Sequence, residues 1–291
     1  MPHFSPKKKD KFVLIMEGQT PVKPIKIDVE KVIRSKTNKK IPRFVFRIVE
    51  KIIHQQEFNT FFENHIGVEG LDFVNAALDY LNVKIDIKGE ENIPSEGEFI
   101  FASNHPLGGL DGLTMASIIG KHFDGRIKFL VNNFLMQLTP LTPLFIPINV
   151  GGGRQERELK DHIQNIFDTK QQFLIFPAGI CSRKIKGEIQ DYAWKKTFIS
   201  KAKEYHRAVI PVYFEAKNSR FFYNLSQIRN ALGIKFNIEM IFLPHEMFRQ
   251  KGNTFTVTFG KPIPYETFDD TKTQYQWAQY VRELVYDMKN L

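Results

Sequence analysis

The sequence predicts an α/β fold in which a mixed, largely parallel sheet is flanked by helices and preceded by a helical N-terminal segment. From Glu98 onward, short apolar runs typical of buried strands alternate with stretches that have the apolar period of a helix. Such alternation is the pattern of strands joined by helical crossovers. Before residue 82 the period is mostly helical. We therefore expect a basic arm and helical membrane-docking segment over residues 1–82 and an α/β domain over residues 83–291.

The N-terminal segment is strongly basic. Residues 1–60 hold 14 Lys and Arg against 6 Asp and Glu, so they carry nearly all of the net charge of +9. An excess of this kind indicates a polyanionic partner, and because no nucleic-acid-binding motif is present, an anionic membrane surface is favoured over nucleic acid. The predicted helices of this segment cover residues 28–35, 41–56, 58–65 and 70–81.

The helix from Ile41 to Gln56 has two interpretations. Arg43, Arg47 and Lys51 follow one another at four-residue spacing beside an apolar, aromatic-bearing side. That pattern is typical of a helix lying in a membrane interface. A helix packed on the core with a solvated basic stripe would give the same pattern.

The second part of the chain supplies the sheet. Predicted strands cover residues 83–88, 99–102, 127–131, 144–148, 172–176, 208–214, 238–243 and 254–259, and predicted helices cover residues 113–122, 134–138, 154–168, 192–205, 219–232 and 272–289. In sheets of this kind the chemistry gathers in the loops that follow the strands. The loops after Ala102, Ile148, Phe176 and Phe214 are therefore the candidates for a functional site.

Composition narrows the cellular setting. The single cysteine, Cys181, excludes an internal disulfide and a cysteine-based zinc site, which fits a reducing compartment. Neither a secretory signal nor a run of 18 apolar residues is evident in the sequence. We expect a cytoplasmic protein that is peripheral on the inner face of the cell membrane.

One strand-to-helix turn places an imidazole beside a carboxylate. The stretch Phe99-Ile-Phe-Ala-Ser-Asn-His-Pro-Leu-Gly-Gly-Leu-Asp-Gly112 ends a predicted strand at Asn104-His105 and opens a helix near Asp111. A histidine oriented by a carboxylate can take a proton from a hydroxyl group near neutral pH. The alternative is structural, with Asp111 as a helix N-cap and His105 as an ordinary loop histidine.

The loops that follow add three further blocks. They are Ile146-Pro-Ile-Asn-Val-Gly-Gly-Gly-Arg154, Leu174-Ile-Phe-Pro-Ala-Gly-Ile-Cys-Ser-Arg183 and Val209-Ile-Pro-Val212. In order and spacing, the four blocks resemble those of the glycerolipid acyltransferase family, which includes the lysophosphatidate acyltransferases. The family pattern is His-x4-Asp, an Arg-bearing block, Phe-Pro-Glu-Gly and a Pro block, and the resemblance covers roughly residues 85–262.

Two departures narrow the resemblance. Five residues, not four, separate His105 from Asp111, and Ala178 replaces the glutamate of the family. Both variants are similar to the hemolysin-like branch, whose members include lyso-ornithine and lyso-glycine lipid O-acyltransferases. The resemblance therefore implies a lyso-amino-acid lipid as acceptor more than lysophosphatidate.

The resemblance also implies roles for single residues. His105 would be the general base and Asp111 its orienting partner, while Arg154 and Arg183 would bind anionic groups. The remaining expected substrate-binding residues are Asn104, Gly108, Gly109, Phe176, Pro177 and Gly179. The acyl donor would be acyl carrier protein or a coenzyme A thioester as co-substrate, with no further cofactor and no metal. Two other classes stay open: a hydrolase of acyl thioesters or lyso-lipid esters, and a non-catalytic lipid-binding membrane protein.

Overall fold

A computed structural model describes residues 25–37, 40–131, 133–147, 164, 166–167 and 169–290. Its α-helices are α1 Val29–Lys36, α2 Arg43–Ile52, α3 Gln55–Asn64, α4 Gly70–Tyr80, α5 Leu110–His122, α6 Thr197–Glu204, α7 Arg220–Ala231, α8 Leu243–Arg249 and α9 Gln274–Asp287. Its strands are β1 Lys84–Lys88, β2 Phe99–Ser103, β3 Ile127–Val131, β4 Phe145–Pro147, β5 Gln172–Ile175, β6 Arg183–Ile185, β7 Glu188–Gln190, β8 Ala208–Glu215 and β9 Thr254–Phe259.

Seven of these strands form one sheet in the order β1-β9-β8-β2-β5-β3-β4. Every neighbouring pair is parallel except β8 and β9, which are antiparallel. The other two strands, β6 and β7, form a separate antiparallel hairpin. The predicted fold class, a mixed and largely parallel sheet with flanking helices, is therefore confirmed.

Each face of the sheet has its own apolar core. All five residues of β2 are buried, and because side chains alternate along a strand, they serve both faces. Phe99 and Phe101 pack into the cluster with α3, α4 and α5, whereas Ile100 and Ala102 pack into the cluster with α6 and α9. The N-terminal helices α3 and α4 thus share a core with the sheet. The boundary at residue 82 stays a prediction.

The predicted strand over residues 238–243 is wrong. This segment forms a 3-10 helix, Ile238–Phe242, which leads directly into α8. Glu239 is fully buried there and accepts hydrogen bonds from two arginines, and Pro244 lies in the first turn of α8, where proline is well tolerated. The sequence did not predict this 3-10 helix, because five apolar residues surround the glutamate and give no clear helical period.

Smaller differences lie at element ends. The break between the second and third helices falls at His54, which has a positive φ of 54°, rather than after Gln56. The hairpin β6–β7 was not predicted. The helix of the His loop begins at Leu110 and not at Leu113. Of the arm predicted over residues 1–27, residues 1–24 lie outside the described residues, as does most of the predicted helix over residues 154–168.

Candidate active site

Three neighbouring strands bring the predicted loops together. Because β8, β2 and β5 are adjacent and parallel, their carboxyl ends lie at the same edge of the sheet. The loop after β2 carries His105, the loop after β5 carries Phe176, and the loop after β8 carries Asn218. Hydrogen bonds join these loops directly: the backbone amide of Ser182 donates to the carbonyl of His105 over 2.7 Å. The side-chain amide of Asn218 donates from Nδ2 to the carbonyl of Pro106 over 3.1 Å.

His105 and Asp111 form a hydrogen-bonded pair. His105 Nδ1 lies 3.0 Å from Asp111 Oδ2, and the Asp111 side chain is fully buried. The same oxygen accepts from the backbone amides of Leu107, over 2.9 Å, and Gly108, over 3.3 Å. Asp111 is not the N-cap of α5, because it lies in the first turn of the helix and Gly109 occupies the N-cap position. A negative charge is favoured in this first turn. The N-cap interpretation of Asp111 is therefore wrong.

Gly108 explains how the loop accommodates five residues between the pair. Its φ is +90°, a conformation that L side chains rarely adopt. This turn folds the chain back so that the amide of Gly108 faces the carboxylate that also holds His105. Gly108 therefore acts through the shape of the loop.

The ring of His105 is held from two sides. It stacks on Phe176 at a centroid distance of 4.1 Å, and its Nδ1 atom faces Asp111. Nε2 has no hydrogen-bond partner among the described residues, and 16 % of the side chain is exposed. Because an ionised carboxylate can only accept, the proton of the neutral ring lies on Nδ1 and the lone pair lies on Nε2. The free nitrogen of the pair is thus the basic one.

The charges around His105 adjust its basicity. Burial by itself would lower the pKa of His105, but the carboxylates of Asp111 and Asp191 raise it, and the net effect is a pKa above the ordinary value. A higher pKa makes the ring a stronger base once it is neutral. The arrangement can remove a proton from a hydroxyl group placed at Nε2.

Asp191 is a buried part of this site that the sequence analysis missed. Its Oδ1 accepts from Ser182 Oγ over 2.6 Å and from the backbone amide of His105 over 3.3 Å, and its Oδ2 accepts from Trp194 Nε1 over 3.0 Å. Burial raises the pKa of the Asp191 carboxyl. No local pattern marks this residue, because the contact that joins it to the site is made with His105, 86 positions away in the chain. Asp191 holds the backbone of His105 rather than its ring.

Asn104 lies in the framework beneath His105. Its amide donates to the carbonyl of Phe214 over 3.0 Å, and its carbonyl accepts from the amide of Phe214 over 2.6 Å. The side chain is buried and joins the end of β2 to the end of β8. Both polar atoms of the predicted substrate-binding residue thus face backbone.

Arg183 is also enclosed by the protein. Its Nη2 donates to Glu239 Oε1 over 2.9 Å and its Nη1 donates to the carbonyl of Cys181 over 2.6 Å. Arg229 donates to the other oxygen of Glu239 over 2.9 Å. Only 2 % of the Arg183 side chain is exposed, so its guanidinium neutralises a buried carboxylate. The other arginine predicted to bind anions, Arg154, lies outside the described residues.

The block after β5 forms a tight turn. Gly179 has a φ of +76°, and its amide donates to the carbonyl of Phe176 over 3.0 Å. The carbonyl of Pro177 accepts from the amide of Lys195 over 3.0 Å. Ala178 is buried in the apolar cluster that contains Trp194. These contacts fix Phe176 in position against His105. The expected substrate contacts of Gly108, Gly109, Phe176, Pro177 and Gly179 stay predictions.

Cys181 is buried, and burial raises the pKa of its thiol to about 11. Among the described residues, no group of three or more His, Cys, Asp or Glu side chains is placed to hold a metal ion. In the same ranges no helix combines the length and the apolar character needed to cross a membrane.

Comparison with known proteins identifies the family. The sequence model of the family described as Acyltransferase matches residues 28–291. The chain belongs to this acyltransferase family. It is an acyltransferase, and the blocks that resemble the glycerolipid enzymes lie within the matched range.

Two relatives match most of this acyltransferase. A protein of Phocaeicola vulgatus named lyso-glycine lipid O-acyltransferase is 49 % identical over 265 residues, which cover 90 % of this chain and 95 % of the relative. A protein of the same name from Bacteroides thetaiotaomicron is 48 % identical, with coverage of 90 % and 97 %. The crystal structure of the 1-acyl-sn-glycerophosphate acyltransferase PlsC from Thermotoga maritima matches with a TM-score of 0.45 and 17 % identity, covering 89 % of this chain and 88 % of that one.

Proposed function

We propose that this acyltransferase moves a fatty acyl group from the thioester of acyl carrier protein or coenzyme A to the hydroxyl group of a lyso-amino-acid lipid, with lyso-glycine lipid as the first candidate. The names of the two relatives at 48–49 % identity support the acceptor. The observation that carries the chemistry is the His105–Asp111 pair with its free Nε2.

The geometry supports direct transfer with general base catalysis. His105 Nε2 takes the proton of the acceptor hydroxyl as the oxygen bonds to the thioester carbonyl carbon. Asp111 stabilises the resulting imidazolium through Nδ1. When the tetrahedral intermediate collapses, the C–S bond breaks and the leaving thiolate takes the proton back from Nε2. Both substrates must be bound together, so their orientation supplies much of the rate acceleration.

The position of Ala178 supports an acceptor without a glycerol phosphate. This residue is buried among apolar side chains of the loop after β5. A glutamate there would place a carboxylate in an apolar cluster, which is costly without a partner. The site therefore lacks the acidic group that the glycerolipid enzymes carry in this block.

Helix α2 supports a peripheral position on the inner face of the cell membrane. Phe46 is buried beneath the helix, whereas Phe44 and Ile48 are exposed beside the exposed Arg43, Arg47 and Lys51. An exposed apolar pair within a basic stripe suits an anionic bilayer. Replacing the three basic residues by glutamine should weaken binding to phosphatidylglycerol vesicles by about 1 kcal/mol per charge, most strongly at low salt. Unchanged vesicle partitioning would contradict this role of α2.

The proposed reaction is tested with purified protein and defined substrates. N-(3-acyloxyacyl)glycine should be formed from N-(3-hydroxyacyl)glycine and an acyl thioester, as detected by mass spectrometry, and it should be absent with His105→Ala. Offering acyl carrier protein and coenzyme A thioesters separately identifies the donor. Phosphatidic acid formed from lysophosphatidate at a higher kcat/KM would overturn the acceptor. Free fatty acid released without any acceptor would indicate a hydrolase instead.

A further inference from the structure

Helix α7 exposes several large apolar side chains, which is unusual for a helix that only packs on the core. Phe221, Ile228 and Leu232 follow one another at spacings of seven and four, so they lie along one face, and all three are exposed. The rest of the helix faces the protein and buries Phe222 together with the guanidinium of Arg229, which is paired with Glu239. An exposed apolar face of this kind marks an interaction site.

The segment after α7 extends this face. The chain turns back on the helix, because the amide of Ile234 donates to the carbonyl of Arg229 over 3.1 Å and Arg229 Nη1 donates to the carbonyl of Ile234 over 2.8 Å. This fold presents further apolar side chains, of which Phe236 is 67 % exposed and Leu232 at the helix end is 69 % exposed. We call the whole set the α7 apolar surface, and its members are Phe221, Ile228, Leu232, Ile234, Phe236 and Ile241.

The charges around the α7 apolar surface have one sign. Between residues 217 and 249 the only acidic residues are Glu239 and Glu246, and both are buried. The exposed charged residues of this stretch are Lys217, Arg220, Lys235 and Arg249. Large apolar side chains that protrude from a helix end, with basic residues around them, are complementary to an anionic bilayer. A carrier protein bound by charge would call for more basic and fewer apolar residues.

The α7 apolar surface adjoins the His105 loop. The ring of Phe221 lies 5.0 Å from that of Phe242, and the next residue, Leu243, lies against the loop: a methyl group placed on Gly108 would be 3.1 Å from its Cδ1 atom. On the other side, Nδ1 of His245 in α8 lies 3.0 Å from Nε2 of His54, in the turn between α2 and α3. Residues 242–245 thus link the α7 apolar surface to the proposed membrane helix and to the candidate active site.

We propose that the α7 apolar surface docks on an anionic lipid bilayer, with Leu232 and Phe236 inserted among the acyl chains. Docking there brings the His105 loop to the membrane surface, where a lipid acceptor resides. The delivery of the acceptor rests on the proposed function; the docking itself does not.

Insertion is tested at Phe236 itself. Both native tryptophans, Trp194 and Trp277, are buried, so a Phe236→Trp variant adds one exposed reporter. With vesicles of equal parts phosphatidylglycerol and phosphatidylcholine, its emission should shift to the blue and be quenched by brominated acyl chains. The control is Tyr275→Trp on α9, where the native side chain is 51 % exposed. A Phe236→Trp signal as unresponsive as the control would overturn the proposal.

Vesicle partitioning and turnover distinguish docking on a bilayer from binding of a protein partner at the same surface. The double variant Leu232→Gln/Phe236→Gln should lower the vesicle partition coefficient by about tenfold or more, whereas Tyr275→Gln should not change it. The same loss is expected in the inactive His105→Ala background, so failure of the proposed reaction leaves the docking test intact. Unchanged partitioning with a raised KM for acyl carrier protein, or with loss of self-association in sedimentation, would overturn the proposal in favour of a protein partner. With His105 intact, the double variant should raise the KM for acceptor in vesicles and leave the KM for a short-chain, water-soluble acceptor unchanged.

Discussion

The His105–Asp111 pair and the triad of Arg183, Glu239 and Arg229 are both buried ionic groups, but they differ in which atoms remain free. In the triad, both oxygens of Glu239 accept from guanidinium nitrogens, and Arg183 donates from every nitrogen. In the pair, Asp111 is enclosed by amides whereas His105 Nε2 has no partner among the described residues. We call the triad a closed network, because its charged groups are paired with one another, and the His105–Asp111 pair an open network, because Nε2 remains free. A closed network stabilises the fold, whereas an open network can act on another molecule.

The two networks also differ in what their loss should affect. Removing one member of a buried, closed network leaves an uncompensated charge and destabilises the fold. Removing a base that lies at the edge of the fold leaves the fold largely intact and removes a proton acceptor. Activity and stability should therefore respond in opposite ways in the two networks.

The largest expected effect is the loss of turnover in His105→Ala. We expect kcat to fall by roughly 10²–10⁴-fold, because the general base is lost. The matched control is His122→Ala, at the opposite end of α5, where the histidine contacts the carbonyl of Pro94 over 3.3 Å. Steady-state kinetics and thermal unfolding of both variants provide the measurement. Near wild-type turnover in His105→Ala would contradict the mechanism.

The triad gives the largest expected change in stability. Glu239→Gln should lower the free energy of unfolding by about 3–5 kcal/mol, because two buried guanidinium groups lose their counter-charge. Glu204→Gln is the control, since its ion pair with Lys201 lies at the surface and is worth at most about 1 kcal/mol. Urea unfolding measures both values. A fall in kcat per folded molecule of Glu239→Gln, with stability unchanged, would support the prediction that Arg183 contacts the substrate.

The sequence could predict the open network but not the closed one. A strand, a glycine-containing turn and a helix follow one another in the His loop, so local pattern alone brings His105 near Asp111. The parallel order of β8, β2 and β5 then sets the neighbouring loops beside it. Both steps depend on residues that are close in the chain or on regular strand topology.

The closed network depends on distant residues. Arg183 and Glu239 are 56 positions apart, and the segment that carries Glu239 has no clear period. Asp191 is joined to the site by the backbone amide of His105, 86 positions away, although its other partners, Ser182 and Trp194, are close to it in sequence. A side chain such as that of Arg183 therefore looks alike in sequence whether it faces a substrate or a buried carboxylate. Exposure and partners decide between these roles, and both belong to the folded state.

The pH dependence of turnover sharpens the comparison within the open network. Because Asp111 and Asp191 raise the pKa of His105, the neutral base forms only above that raised value, and kcat/KM should fall as the pH decreases through it. Asp111→Asn removes the negative charge at Nδ1, so the acid limb should move to lower pH while the plateau rate decreases. Profiles of kcat/KM between mildly acidic and mildly alkaline pH measure both changes. An acid limb that stays in place would mean that His105 is not the group that titrates.

The smallest expected effect is that of Asp191→Asn, because Asp191 belongs partly to each kind of network. Its carboxylate is closed, with donors from Ser182, Trp194 and the backbone of His105, yet its charge also raises the pKa of the His105 ring. Asparagine keeps the size but turns an NH2 group toward one of those donors. We expect kcat to fall by about tenfold, since the His105 backbone loses its anchor.

The acid limb should also move to lower pH, by less than in Asp111→Asn, because Asp191 contacts the backbone and not the ring. A Ser182→Ala variant removes one donor without removing the charge, so it should lower kcat and leave the acid limb unchanged. If Asp191→Asn and Ser182→Ala gave the same pH profile, Asp191 would act through position alone and its charge would not reach the base.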